Sequence, residues 1–244
     1  MLKLLVFVLA LMPTLSVSNT ITVLINHDDG GKKSQRHLKR FLNVLKQKGC
    51  DAIPYQNTAQ PAQLLFDPTP RSIALKDHPD YQLIAIAKTL DNDTYIKGAI
   101  VVKASIGIKD LNSLKGYWFA FINKHSWPGY MLPSKLLNDV NINEENSHFY
   151  FVGNYIGSAA ALGHQDVQVA IIAHPLATRW ADLNDYSIVA VTEAVETGGW
   201  WIHKNISSSI RQQCTRALTQ LNRSEHKVVP AWIDGFKKVN DKGQ

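Results

Sequence analysis

Cysteine is scarce in this chain. Its 244 residues include two, Cys50 and Cys214, which is too few for a disulfide scaffold. An exported protein can still bridge a single pair, so a bridge and two buried thiols both remain open. Nine histidines include no HxxxH or HxH pair, which leaves a zinc site without its usual spacing. No GxGxxG or Walker loop occurs to cradle a nucleotide. No GxSxG marks a nucleophile elbow, and no paired-carboxylate motif stands out. The chain is therefore expected to be no enzyme and to carry no cofactor and no metal. Repeats and low-complexity tracts are absent too. So are long apolar runs: the longest, within Leu4 to Met12, falls well short of the ~20 residues that span a bilayer.

That short run has another reading. Lys3 precedes it, Pro13 breaks it, and Ser16-Val17-Ser18 supplies a small-x-small cleavage site. Residues 1–18 read as a secretory signal peptide, leaving a soluble periplasmic protein from residue 19 onward. The formal net charge of +6 favours anionic partners. Its densest cluster is Lys32, Lys33, Arg36, Lys39 and Arg40, which on a helix makes one solvated face. No nucleic-acid fingerprint accompanies it.

The chain opens strand–helix–strand. ITVLI (21–25) is of strand length. Ser34 to Lys48 carries a helical stripe of Leu38, Phe41, Leu42 and Leu45, closed by Gly49, and Asp51 to Tyr55 suits a second strand. Prolines 61, 68, 70 and 79 then leave room only for a short helix, Arg71 to Lys76. Further strands are expected at Tyr81–Thr89, Ile96–Lys103, Tyr117–Ile122, Phe149–Val152, Val167–Ile172 and Tyr186–Val191, with another beginning near Trp200. Helices are expected from Pro128 to Asn138, from Asn154 to Leu162, and from Ser207 to Leu221 with Ser207 or Ser208 as N-cap. Residues 105–190 form a strand–helix–strand–helix–strand block of their own. This order suggests one lobe inserted in another: lobe 1 from 19–103 and 191–244, lobe 2 from 104–190, joined by two crossing strands.

Over residues 96–135 the chain resembles a known family. IKGAIVVK, then DLNSLKGYWFAFINKHSWPGYMLP, is similar to the phosphate/phosphonate-binding (PhnD-like) substrate-binding proteins of ABC transporters. Leu111, Leu114, Lys115, Gly116, Phe119, Phe121, Ser126, Gly129, Tyr130 and Pro133 fall on the family's pattern. GNYIGSAAALGHQDVQVAII (153–172) resembles its next helix and strand, and Trp201 with the helix 207–221 resembles its return to the first lobe. The resemblance implies an α/β, two-lobed type 2 periplasmic-binding-protein-like fold. Each lobe would be a mainly parallel sheet flanked by helices, with a two-strand hinge. Departures are visible. Trp127 and Pro128 stand where the family has Thr and Ser, Asn123-Lys124 replaces Asp-Pro, Tyr155 replaces His and Gln168 replaces Asp. LLFDPTPRSIAL (64–75) compresses the family's next segment of the first lobe.

An oxyanion site needs convergent donors. The turn offers Ser126 Oγ, the Tyr130 hydroxyl and the Gly129 and Tyr130 amides, with His125 or Lys124 as a nearby positive group. Asn154 and Ser158 add donors at a second helix start, and Tyr155 takes the family's His position there. Asp28 and Asp29, after the first strand, would suit an amine or hydroxyls on the ligand. Trp127 and either Trp200 or Trp201 would suit a ring or an alkyl group. Each has a plainer alternative: Ser126 as an N-cap, Pro128 as the first helical residue, Trp127 as packing, the aspartates as solvated loop residues. The expected function is to hold a small, oxyanion-bearing ligand between the lobes for an ABC permease, as a monomer. A periplasmic sensing or partner-binding domain is the alternative, with an enzyme on the same fold less favoured.

Overall fold

The computed structural model describes residues 20–26, 32–56 and 59–239, the side chains of 32–34 and 182 excepted. The expected leader 1–18 and Asp28 and Asp29 lie outside the described residues. Strand β1 (Ile21–Ile25) leads into helix α1 (Lys32–Gln47), β2 (Ala52–Pro54), β3 (Leu64–Asp67), α2 (Arg71–Asp77) and β4 (Tyr81–Thr89). The short β5 (Tyr95–Ile96) precedes β6 (Gly98–Lys103) and β7 (Trp118–Phe121). A single π-helical turn (Trp127–Met131) then runs into α3 (Leu132–Asn138). Next come β8 (His148–Phe151), α4 (Tyr155–Gly163), β9 (Val169–Ala173), α5 (His174–Asn184) and β10 (Tyr186–Val191). The chain returns through β11 (Val195–Glu196) to β12 (Gly199–His203), α6 (Ser208–Thr219) and β13 (Ile233–Lys238).

Two sheets result. The first runs β13-β4-β12-β3-β1-β2 and the second β10-β6-β9-β7-β8. Both are mixed rather than mainly parallel. β1 pairs in parallel with β2 and β3, and β7 with β8 and β9, while β12, β4 and β13 in one sheet and β6 and β10 in the other run antiparallel to their neighbours. The reversal follows from the crossings, because the chain leaves and re-enters each sheet against the direction of its parallel βαβ part. β6, expected with lobe 1, sits inside the second sheet between β10 and β9. Between the two sheets lies the short antiparallel β5–β11 pair, Ile96 opposite Val195 and Tyr95 opposite Glu196, at the place where a two-strand hinge was expected.

The stripe on α1 does what its spacing predicts. Phe41, Leu42 and Leu45 are buried against the first sheet. Gly49 ends the helix at φ 92°, with the Cys50 amide donating to the Leu45 carbonyl at 2.9 Å. Cys50 is thereby set against α6, where it is bridged to Cys214.

Trp200 and Trp201 are not cleft residues. Both lie on β12, inside the first sheet, where alternation sends them to opposite faces. Trp200 stacks on Phe41 at 5.5 Å and meets Phe66 at 5.2 Å, while Trp201 packs with Leu65 and Ala74 on the α2 side. Their exposures of 0% and 1% leave no surface for a ligand.

Candidate ligand site

The stretch 126–130 sits at the carboxyl end of β7, and α4 starts at the carboxyl end of its parallel neighbour β8. Crevices outside the carboxyl ends of parallel strands are the usual ligand position in open α/β sheets. Ser126 is the N-cap of the turn: its Oγ accepts from the Gly129 amide at 3.1 Å. Pro128 follows as the residue whose missing N–H costs nothing there. The Ser126 carbonyl accepts from both the Tyr130 and Met131 amides, each at 2.9 Å. This double acceptance is what widens the turn to π geometry. Gly129 has to be glycine, since a Cβ there would run into the Ile122 side chain and Ser126 Oγ.

These bonds correct one expectation. The Gly129 and Tyr130 amides do not stand open to a ligand; both are satisfied within the turn. Tyr130 packs its ring edge-on to Phe121 at 5.3 Å and against Phe151 at 5.4 Å, joining the core on the α3 side of the second sheet. His125 is exposed, its amide held by Asn123 Oδ1 at 2.8 Å. Lys124 is exposed, 3.4 Å from Glu144 and 5.4 Å above the Phe151 ring. Trp127 is half-buried.

At the second helix start, Asn154 is exposed and caps α4, accepting from the Gly157 amide at 2.8 Å. Ser158 is fully buried. Its hydroxyl lies 2.9 Å from the Ala120 carbonyl and 3.1 Å from that of Ile171, so it fastens α4 to β7 and β9 and faces no cleft. Tyr155 is different. It is buried, and its hydroxyl lies 3.2 Å from Ser126 Oγ. Thus of the residues expected at the site, the structure joins Ser126, Gly129 and Tyr155 most closely. Burial holds the Tyr155 hydroxyl far above the ordinary tyrosine range, against the opposing hydrogen bonds of Ser126 and Trp232.

Trp232 is the residue that sequence reading missed. It immediately precedes β13, on the first sheet, yet it reaches Tyr155 on the second. Its carbonyl accepts from the Leu90 amide at 3.1 Å, and the Leu90 carbonyl accepts from Arg179 Nη2 on α5 at 2.8 Å. The lobes therefore meet through Trp232–Tyr155 and through Arg179–Leu90. No spacing in AWIDGFKK (231–238) marks this tryptophan apart from the other five.

Two surface hollows lie away from this meeting point. One, of about 390 Å³, is lined by Ile156, Ala160, Trp180 and Tyr186 on the outer side of α4. The other, of about 200 Å³, is lined by Thr22, Gln63 and His203 on lobe 1. Among the described residues no group of three His, Cys, Asp or Glu is placed to hold a metal ion, and no helix is long and apolar enough to cross a membrane.

Residues 58–243 match the family model of the ABC transporter, phosphonate, periplasmic substrate-binding proteins. The chain belongs to this family. Solved relatives of the family share the fold at low identity. PhnD1 from Prochlorococcus marinus, in complex with methylphosphonate, is 16% identical with a TM-score of 0.66, over 92% of this chain and 94% of that one. The binding protein component of an ABC phosphonate transporter from Pseudomonas aeruginosa is 12% identical with a TM-score of 0.62, over 91% and 82%. A Xanthomonas citri protein bound to ATP is 15% identical with a TM-score of 0.61, over 92% of each chain. No curated protein matches the sequence significantly. As a member of the family, the chain is a periplasmic substrate-binding protein of the phosphonate ABC transporter type.

Proposed function

We propose that this protein captures a small tetrahedral oxyanion of the phosphate or phosphonate class between its lobes and presents it, closed, to an ABC permease. The observation that carries the reading is the Ser126–Tyr155 pair. Two hydroxyls 3.2 Å apart sit at adjacent helix starts outside the ends of parallel strands, where lobe 1 meets lobe 2. A hydroxyl donates as readily to a phosphonate oxygen as to its present partner. With the two amides of the turn engaged internally, the hydroxyls rather than the backbone do the recognising. His125 and Trp127 would line the rim, and Asn154 would fix the helix start that carries Tyr155. The hinge at β5–β11 lets the lobes part and close.

We further place the lobe boundaries at that hinge, with β6 to β10 as the inserted lobe. The protein acts after export by its leader, as a monomer, without turnover and without nucleic acid.

The test is the thermal midpoint of residues 19–244 against phosphate, methylphosphonate, sulfate and amino acids. Ligand at 100 times its dissociation constant adds about 2.7 kcal/mol. A shift with phosphate or methylphosphonate that Ser126→Ala abolishes is the expected result. A shift with another class alone discards the ligand assignment. No shift with any of them leaves a sensing or partner-binding domain, the role that a fully self-satisfied turn would fit.

A further inference from the structure

Helices α1 and α6 cover the same side of the first sheet. Phe41, Leu42 and Leu45 on one and Cys214, Ala217 and Leu218 on the other share a buried cluster with Trp200, and the Cys50–Cys214 bridge ties the segment that ends α1 to α6. Their outer sides carry one sign of charge. Neither KKSQRHLKRFLNVLKQ nor SSIRQQCTRALT contains an acidic residue. On α1, Arg36, Arg40, Asn43 and Gln47 follow one another at four- and three-residue steps and so share one exposed stripe, with exposed Lys39 beside it. On α6, Gln212, Gln213 and Arg216 are exposed in the same way. Among the described residues none of Arg36, Lys39, Arg40 and Arg216 takes part in an ion pair. The acids at the end of α1 are already engaged, Asp51 by Lys46 at 3.2 Å and Glu225 by Lys48 at 3.4 Å. This arrangement works against the helix itself. Arg36 and Arg40 stand one turn apart and repel, and the first turn of α1 has no acidic residue although the helix dipole favours one there. A local rule broken without internal compensation points to a use outside the chain, and an external anion relieves both strains.

We propose that the outer face of α1 and α6 docks on an anionic phospholipid surface, with Arg36, Lys39, Arg40 and Arg216 against the headgroup phosphates. The composition of the face selects this occupant. Neither helix exposes a large apolar or aromatic side chain, and a protein partner would be anchored through such residues. A lipid surface needs only matching charge, to which each Lys or Arg near the headgroups adds independently. The face lies on the flank of the first sheet and not across the carboxyl ends of its parallel strands, so docking leaves the ligand site uncovered. The inference does not depend on the oxyanion reading given above.

The experiment is co-sedimentation of the purified protein with vesicles of phosphatidylcholine alone and of phosphatidylcholine mixed with phosphatidylglycerol, at low and at high salt. Wild type should partition to the mixed vesicles only, and salt should release it, because exposed charges are screened. A triple variant, Arg36→Gln with Lys39→Gln and Arg40→Gln, should weaken partitioning on the order of a hundredfold, about fivefold for each cation removed. Arg216→Gln, on the other helix, should by itself cost about fivefold. The control removes the same charge elsewhere: Lys76→Gln with Lys109→Gln and Lys135→Gln, all exposed and none on α1 or α6. It should partition as wild type does. Equal losses in the two triple variants would assign the attraction to net charge and overturn the face. Binding to phosphatidylcholine alone, or binding that high salt leaves intact, would overturn the electrostatic mode. Failure of wild type to partition to the mixed vesicles at low salt overturns the lipid surface outright. Retention of that same protein on immobilised polyglutamate, lost in the α1 variant, would then make the occupant an acidic protein.

Discussion

The two lobes fasten their helices by different means. In lobe 1, the segment that ends α1 is joined to α6 through the Cys50–Cys214 bridge, across 164 residues of sequence, and the sheet beneath them is filled by aromatics packed around Trp200. In lobe 2 small hydroxyl contacts serve. Ser158 reaches two sheet carbonyls, and the Tyr186 hydroxyl donates to the Ala159 carbonyl at 2.9 Å. Chain continuity accounts for the difference. Lobe 2 is one uninterrupted segment, so its helices are never far from their strands. Lobe 1 is assembled from the two ends of the chain with all of lobe 2 between them, and closing a loop of that length is entropically costly. A covalent tie placed there restrains the unfolded chain most.

The largest test of that contrast is to remove the bridge. Paired Cys50→Ser and Cys214→Ser exchange should cost about 3–5 kcal/mol, read as a lower thermal midpoint. Hydrogen exchange should rise in β1, α1 and α6 while β6 to β10 stay protected. Equal loss of protection in both sheets would mean that the lobes unfold as one unit and that continuity does not matter. A smaller effect is expected from Ser158→Ala, which strips two buried carbonyls of their hydroxyl partner and should cost about 1–3 kcal/mol. Here the exchange should rise in α4 and β9 and not in α1. The smallest effect at neutral pH is that of Tyr155→Phe, about 1 kcal/mol, and its pH dependence is the sharper signature. Burial keeps the Tyr155 hydroxyl protonated in the folded state, whereas the unfolded chain ionises it near its ordinary value of about 10. Its contribution is therefore complete below that pH and declines as the pH rises beyond it. Denaturant midpoints between neutral and alkaline pH should fall less steeply in Tyr155→Phe than in wild type. Tyr81 and Tyr186, which burial also raises, add to the slope in both proteins alike. Identical slopes would show that Tyr155 is not shielded where the lobes meet.

Much of the fold was legible residue by residue. Tyr81–Thr89 and Tyr186–Val191 read as strands at the bounds they have, because apolar runs or alternation sit between turn residues. Of the two serines read as N-cap candidates, Ser207 is the cap, accepting from the Ile210 amide. Four elements had no counterpart in the reading: β3, whose LLFD lies in the proline-rich stretch read as room only for a short helix, and α5, β11 and β13. α5 begins at once after β9 with Pro175 in its first turn, so no loop announces it. β11 has only two residues, too few to carry a period, and the register of β13 is broken between Ile233 and Gly235. Within the site, the cap at Ser126 and the helix start at Asn154 were legible as local chemistry. The engagement of the Gly129 and Tyr130 amides was not, since a turn of ordinary α geometry would have used them differently. Trp200 and Trp201 looked available for a ligand, because a pair of tryptophans after Gly198-Gly199 has the same composition in a cleft as in a core.

By itself the sequence determined most of the elements, the caps and the family, because these depend on neighbours within a few residues and on patterns that such neighbours make. Tertiary structure decided what no local pattern holds. It joined Cys50 to Cys214, set β6 in the second sheet, buried Trp200 and Trp201, and brought Trp232 to Tyr155. Each of those depends on which distant segments share a sheet, and strand order is settled by the packing of the whole chain rather than by the residues at either end of the contact.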